Sequence, residues 1–301
     1  MSDRGRVRRI WGDAMNIELR TSSRSKAVVA CIAFAVAVLF TAWPSTARAD
    51  TAVELLHGWN YNNDFNGGTE RTIMTIKTFQ PFKYGSFFMY YDITGPFTPP
   101  DDKVLPNEKG GFFGGTSVNL SVKRIGEKIA GETWNWGGAL VDVSLHSEVE
   151  HVSKVGMLTY FGPLFDLKIP GFDFAAFSSV IRQDWTLNGI DLQLGGAWQI
   201  TFPIGKITDI VFDGFFQWGM FGEGHGTFTT GPDDKGQYTV IPTRGRPFFM
   251  TQPQLLLDIG KLTTVAERTF YVGLEYQFAF NRYLQPGVME NVPQIMFRWS
   301  I

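Results

Sequence analysis

The sequence is nearly devoid of cysteine, since Cys31 is the only one among 301 residues. It also lacks any apolar segment of about 20 residues, the length that a membrane-spanning helix needs. The longest apolar run, residues 27–42, is shorter than that and is interrupted by Thr41. Residues 32–301 contain no cysteine, so this part of the chain can have no disulfide framework, no cysteine–zinc site and no thiol nucleophile.

The first 49 residues have the pattern of a secretory signal. A basic stretch ending at Lys26 precedes the apolar run, and Ala47-Arg48-Ala49 forms a small-x-small cleavage site. We expect residues 1–49 to be a signal peptide and leader that is removed, leaving residues 50–301 as the mature protein. The alternatives are an uncleaved anchor and a lipoprotein acylated at Cys31, although a lipid-bearing cysteine should end the apolar run.

Basic residues are scarce in the expected mature protein. The leader holds 8 of the 27 lysines and arginines and 3 of the 29 acidic residues, so residues 50–301 carry 19 basic and 26 acidic side chains, a net charge of −7. No basic tract is present. This balance argues against nucleic acid as a partner.

What the mature sequence has in abundance is short segments in which apolar and polar residues alternate, as in half-buried strands. In residues 269–280, for example, Phe270 and Leu274 fall on one face and Glu275 on the other. No helical periodicity competes with this pattern. The predicted strands are residues 53–61, 70–80, 86–94, 113–123, 138–147, 155–167, 172–182, 190–202, 209–220, 248–258, 269–280 and 292–301.

Alternation of this kind is typical of a soluble barrel or sandwich and also of a membrane barrel. Three features favour the membrane barrel. Tryptophans cluster near strand ends, the last strand reaches the final residue, and short connections alternate with long ones at 95–111 and 221–247. We therefore predict an all-β fold, a transmembrane antiparallel β-barrel of about twelve strands in the bacterial outer membrane. The long loops are expected outside, although the long connection 124–137 falls on the periplasmic side.

Charged and amide side chains inside these strands are candidate pore-lining groups. A Lys or Arg that faces lipid at mid-depth costs about 2–4 kcal/mol, so in-strand charges should face the lumen or lie at a rim. Glutamine amides both donate and accept, which suits an uncharged solute. Salt bridges that brace the barrel, and an interstrand amide ladder, are the structural alternatives. The candidates are Lys77, Asp92, Arg182, Asp213, Glu275 and Arg298, with Gln252, Gln254 and Gln277 as the amides.

Several segments resemble the Tsx-type nucleoside-specific channels of the outer membrane and the related OmpK-like proteins. The likeness covers nearly all of residues 54–301. Its most specific parts are Pro-Gly-Phe-Asp-Phe at 170–174 and Gln-Pro-Gln at 252–254. The other segments are 165–169, 212–215 with Trp218, 258–261, 272–277 and 292–294. The resemblance implies a passive channel with weak binding sites for nucleosides or similar small solutes.

The resemblance also implies a lumen face for the third predicted strand. Phe88, Tyr90 and Asp92 share one face there, and rings in the lumen could stack on a nucleobase. The alternative is that this face meets lipid or fills the lumen against a neighbouring strand. Phe215 and Gln217, near Asp213, complete the candidate set.

Three functions remain open from the sequence. The first is a channel for nucleosides or similar solutes, and the second is a surface barrel that binds phage or bacteriocins at its external loops. The third is an outer-membrane lipid hydrolase built on His146 and a nearby serine, but no strained nucleophile motif accompanies them. The four histidines show no metal spacing. We expect outer-membrane lipid as the surroundings, no enzyme activity, no metal and no cofactor.

Overall fold

The structure is a computed structural model, and the part of the chain that it describes begins at Asp50. The leader 1–49, its cleavage site and most of the two long loops lie outside the described residues. The described residues are 50–61, 70–97, 112–152, 156–185, 189–221, 226–228, 240–242, 247–264, 266–281 and 289–301. No helix within these ranges is long and apolar enough to cross a membrane.

The described chain is nearly all strand. The first nine strands are β1 (Asp50–Trp59), β2 (Glu70–Phe82), β3 (Gly85–Thr94), β4 (Phe112–Ser121), β5 (Leu140–Val152), β6 (Gly156–Leu167), β7 (Phe174–Asp184), β8 (Gly189–Ile204) and β9 (Thr208–Gly219). The remainder are β10 (Gly226–Phe228), β11 (Val240–Pro242), β12 (Phe248–Thr251), β13 (Gln254–Asp258), β14 (Phe270–Phe280) and β15 (Met289–Ser300). Two helices, α1 (Val122–Ala130) and α2 (Ile259–Leu262), follow β4 and β13.

The strands close into a barrel by sequential antiparallel pairing. Each strand from β1 to β9 pairs with the next, and β1 pairs with β15 to complete the ring. β12 and β13 both lie between β9 and β14, so they form one interrupted strand. The barrel therefore has twelve strands, as predicted, while β10 and β11 form a separate hairpin within the connection 221–247.

The break between β12 and β13 falls at Gln252 and Pro253. Proline has no N–H to donate to a ladder, so a strand that contains one tends to bulge there. Next to the break, Gly214 of β9 comes close to the backbone of this segment, and a Cβ at Gly214 would lie 2.7 Å from the carbonyl oxygen of Gln252. The register on β9 and β14 is the same on both sides of the break, so Pro253 interrupts the strand without inserting an extra residue.

One prediction of the sequence was wrong. Residues 122–130, expected to be partly strand and otherwise irregular, form α1. Ser121 caps the helix by accepting from the Arg124 N–H at 2.9 Å, and Gly131 ends it in the left-handed conformation at φ 72°. Both residues are typical of helix ends. The period-two pattern of the neighbouring strands obscured this nine-residue helix.

The barrel has an apolar outer surface. On β14, Leu274 is 57% exposed whereas Glu275 beside it is 5% exposed, because neighbouring side chains point to opposite faces. The same contrast occurs on β15 between Ile295 and Gln294. A closed sheet pairs its backbone groups and so can lie in hydrocarbon with such a surface. The chain is thus a transmembrane β-barrel of the outer-membrane type.

Aromatic residues mark the edges of this apolar surface. Trp59, Trp185, Trp218 and Trp299 all lie near strand ends and are exposed. An indole ring combines an apolar body with a polar N–H, which suits the boundary between hydrocarbon and headgroups. These four residues are placed as the aromatic girdles of the barrel require.

Candidate functional site

All the predicted site residues lie on the inward side of the barrel. Glu54 of β1 is opposite Thr75 of β2, which is opposite Asp92 of β3. Glu54 is buried and the other two are half-buried, and this row defines the lumen face. The other strands follow from their registers, since pairing partners share a face. The inward-facing candidates are Lys77, Phe88, Tyr90, Asp92, Arg182, Asp213, Phe215, Gln217, Gln252, Gln254, Glu275 and Gln277.

Arg298 of β15 is the centre of one lumen network. Its Nε donates to Glu54 at 2.5 Å, its Nη1 donates to Asp213 at 2.8 Å, and its Nη2 donates to Gln254. Lys77 also reaches Glu54, with an Nζ–Oε1 distance of 2.6 Å. The network joins β1, β2, β9, β13 and β15, so it braces one wall of the barrel from within.

Glu275 of β14 is a second centre, surrounded by amides. It accepts from Gln252 at 3.2 Å, from Gln294 at 2.6 Å and from Gln254. Gln252 also donates to Gln277 at 2.8 Å. Gln254 links this amide cluster to Arg298, so the two centres form one continuous network.

An apolar layer also faces the lumen on this wall. Leu56, Val211, Leu256, Tyr271 and Met296 are all buried and pack together. Leu256 and Met296 are only 1% and 2% exposed, although both point inward. This layer was not predicted from the sequence, because inward aliphatic residues interrupt the alternation of apolar and polar residues. The wall formed by β9, β13, β14, β15 and β1 is therefore thick and tightly packed.

On the opposite wall, Glu150 of β5 is held between two tyrosines. The hydroxyl of Tyr90 donates to Glu150 Oε1 at 2.6 Å, and the hydroxyl of Tyr160 donates to Oε2. Arg182 of β7 faces the same region, with Nη2 3.5 Å from Asp184 Oδ2. The structure thus brings Tyr90 and Arg182, which were both predicted, beside Glu150 and Tyr160, which were not.

Tyr90 also belongs to a bank of aromatic rings along β3 and β4. Its ring centroid lies 5.9 Å from that of Phe88, at an interplanar angle of 27°, and 5.8 Å from that of Phe113. All three rings are half-buried and face inward. We call Phe88, Tyr90 and Phe113 the aromatic bank.

Small residues also face the lumen on β4, β7 and β8. Gly115 lies under Tyr90, and a Cβ there would lie 2.8 Å from Tyr90 Cε1. Ser178 and Gly195 face each other across β7 and β8, and a Cβ at Gly195 would lie 2.7 Å from Ser178 Oγ. Short side chains therefore occupy these inward positions of the wall. Phe215 and Gln217 face inward from β9, which belongs to the thick wall.

His146, the histidine of the hydrolase alternative, contacts an amide and a carboxylate. Its Nδ1 is 2.7 Å from Asn119 Oδ1 and its Nε2 is 3.2 Å from Glu148 Oε2, so both ring nitrogens are engaged by groups other than serine. Within the described ranges, no group of His, Cys, Asp and Glu could hold a metal ion.

Glu54, Glu150, Tyr160 and Gln294 are the main site residues that the sequence analysis did not name. Glu54 and Gln294 are polar groups inside predicted strands, the same signal that identified Asp92 and Glu275, whereas Glu150 falls between the predicted strands 138–147 and 155–167. Tyr160 carried no such signal, because an aromatic residue in a membrane strand fits either face.

The chain matches no family model and no curated protein. Among solved structures it is similar to a NanC porin (8% identity, TM-score 0.44, covering 83% of this chain and 100% of that one) and to a KdgM porin (8% identity, TM-score 0.41, 83% and 99%). The outer membrane channel DcaP of Acinetobacter baumannii is also similar (10% identity, TM-score 0.29, 86% and 99%). Because these identities and TM-scores are low, we assign the fold from the strand pairing of this chain itself.

Proposed function

We propose that this chain is an outer-membrane channel for facilitated diffusion of nucleosides or similar small solutes. The observation that carries the proposal is the aromatic bank, which stands beside Glu150 and Arg182 on a wall of small residues inside the barrel. The resemblance of the sequence to the Tsx-type channels supports the same solute class.

The chemistry of this wall suits a solute with one aromatic and one hydroxyl-rich part. Stacking of a base on an aromatic side chain contributes about 1–3 kcal/mol, enough to concentrate a solute without trapping it. Carboxylates accept hydrogen bonds from ribose hydroxyls, and the guanidinium of Arg182 donates to carbonyl groups. Such weak binding needs neither a cofactor nor energy coupling.

The test is block of single-channel current by nucleosides in a planar bilayer. Tyr90→Ala removes an inward ring, whereas Tyr91→Ala removes the neighbouring ring on the outward face of the same strand. We expect Tyr90→Ala to weaken the block about 5-fold or more, as the loss of about 1 kcal/mol of stacking requires. Tyr91→Ala should leave the block unchanged. Equal block in wild type and a folded Tyr90→Ala variant would remove the aromatic bank from the pathway.

A second candidate is a closed surface barrel that meets phage or bacteriocins at its loops. The packed apolar layer around Leu256 and Met296 favours it, because these inward residues are almost inaccessible to water. A folded barrel that conducts no ions in the bilayer, yet supports phage adsorption to cells, would establish this candidate and overturn the channel.

A further inference from the structure

We infer that the lumen is cation-selective, so that the channel passes neutral or cationic solutes and repels anions such as nucleotides and acidic sugars. This inference rests on the proposed channel function and narrows its solute class. It follows from the charges that face inward, from their partners and from the field that they create.

Carboxylates dominate the inward face of the barrel strands. Thirteen of them are buried or half-buried, against four basic side chains. The acidic set is Glu54, Asp92, Asp142, Glu148, Glu150, Asp166, Asp184, Asp191, Asp209, Asp213, Asp258, Glu275 and Glu290. The basic set is Arg71, Lys77, Arg182 and Arg298. Lys261 of α2, which pairs with Asp209 at 2.8 Å, adds one cation at the end of the barrel.

Three of the four basic side chains on the lumen face contact acidic groups. Arg298 contacts both Glu54 and Asp213, and Lys77 shares Glu54 with it. Arg182 of β7 lies 3.5 Å from Asp184 and opposite Asp191 of β8. Arg71 of β2, the fourth basic side chain, lies over the ring of Tyr61, with 4.5 Å from its guanidinium carbon to the ring centroid.

Some lumen carboxylates accept hydrogen bonds from neutral donors, which add no positive charge to the lumen. Thr75 donates to Asp92 at 2.6 Å, and Gln277 donates to Glu290 at 3.1 Å. The acidic excess persists even when Glu150 and Glu275, which are enclosed by tyrosine hydroxyls and glutamine amides, are left out.

Negative charge converges from several strands on the same part of the lumen. The carboxylates of Glu54 of β1 and Asp92 of β3 repel the charge of Glu275 of β14, and Lys77 of β2 attracts it. A narrow passage with low-dielectric walls focuses such a field and raises the local concentration of counter-ions. A cation or a neutral nucleoside can enter this field, whereas a phosphorylated nucleotide meets like charge along the whole passage.

Ion selectivity is measured from the reversal potential across a planar bilayer with a KCl gradient. The expected reversal potential has the sign of a K⁺-selective pore, with a K⁺ permeability several-fold that of Cl⁻. The preference should fall as salt rises from 0.1 M to 1 M, because the Debye length shrinks from about 10 Å to about 3 Å.

The double variant Asp92→Asn/Glu148→Gln removes two inward charges, and its permeability ratio should move toward unity. Glu132→Gln, which removes an exposed charge beyond α1, is the matched control and should retain the wild-type ratio.

The possible results test the cation selectivity, the solute class and the channel function separately. An open pore that prefers Cl⁻, or shows no preference at low salt, would overturn the cation selectivity and leave the channel function standing. Cation-selective current without nucleoside block would overturn the proposed solute class and leave the selectivity standing. A folded barrel with no conductance would overturn both.

Discussion

Arg298→Met is the most informative single change in the lumen. Methionine keeps much of the length and apolar volume of arginine but makes none of its hydrogen bonds. The variant would strip Glu54, Asp213 and Gln254 of a shared donor. The side chains of Arg298, Glu54 and Asp213 are 8%, 4% and 13% exposed, so water screens these contacts little.

The expected loss of stability depends on which ion pairs Glu54 and Asp213 keep in the variant. Breaking a buried ion pair by removing one member costs about 3–5 kcal/mol, because it leaves an uncompensated charge. Glu54 keeps Lys77 at 2.6 Å, so most of the loss falls on Asp213. We therefore expect a cost near the lower end, about 3 kcal/mol, or roughly 100-fold in the folding equilibrium at 1.4 kcal/mol per factor of ten.

The assay is guanidinium-induced unfolding in lipid vesicles, followed by tryptophan fluorescence. Asp213→Asn alone and the double variant Arg298→Met/Asp213→Asn complete a double-mutant cycle. If the charge left on Asp213 causes the loss, the double variant should be less destabilised than the sum of the singles by about 1 kcal/mol or more. A cost below about 1 kcal/mol for Arg298→Met, or strict additivity, would refute the reasoning.

Three further predictions concern the barrel itself. Leu274→Arg should cost about 2–4 kcal/mol relative to Leu274→Ala in vesicle refolding, because it places a charge in lipid; equal stability would mean that this face is not in hydrocarbon. Gly273→Ala should lower the refolding yield, since its Cβ would lie 2.0 Å from the carbonyl oxygen of Leu255; a normal yield would show that the two strands can separate. Ser121→Ala should cost about 1–2 kcal/mol in the same unfolding assay, as it removes the cap of α1 and the 2.5 Å contact with Asp142. An unchanged midpoint would exclude that cap as a source of stability.

The strands could be predicted from the sequence because each strand carries its own signal. Period-two alternation indicates which side chains share a face. Pro253 lacks the N–H that a strand residue donates, and it marks the point where one strand is interrupted. The helix α1 was missed although its end signals, Ser121 and Gly131, were readable. Nine residues between two strands are too few for helical periodicity to stand out.

The alternation also predicted that the charged and amide candidates face the lumen, and the structure has them on the inward face. A charged or amide side chain within a membrane strand faces inward because lipid offers it no partner. Which of these groups bind a solute is untested, and their role as a site stays a prediction.

The sequence by itself thus determined the barrel, its number of strands and the side on which each polar residue lies, because these depend on local alternation. Only the tertiary structure decided which inward residues meet. Arg298 reaches Asp213 and Glu54 across separations of 85 and 244 residues. Contacts of that kind depend on ring closure and on the stagger between strands, which no single strand encodes. The apolar layer and the tyrosine pair around Glu150 arise for the same reason.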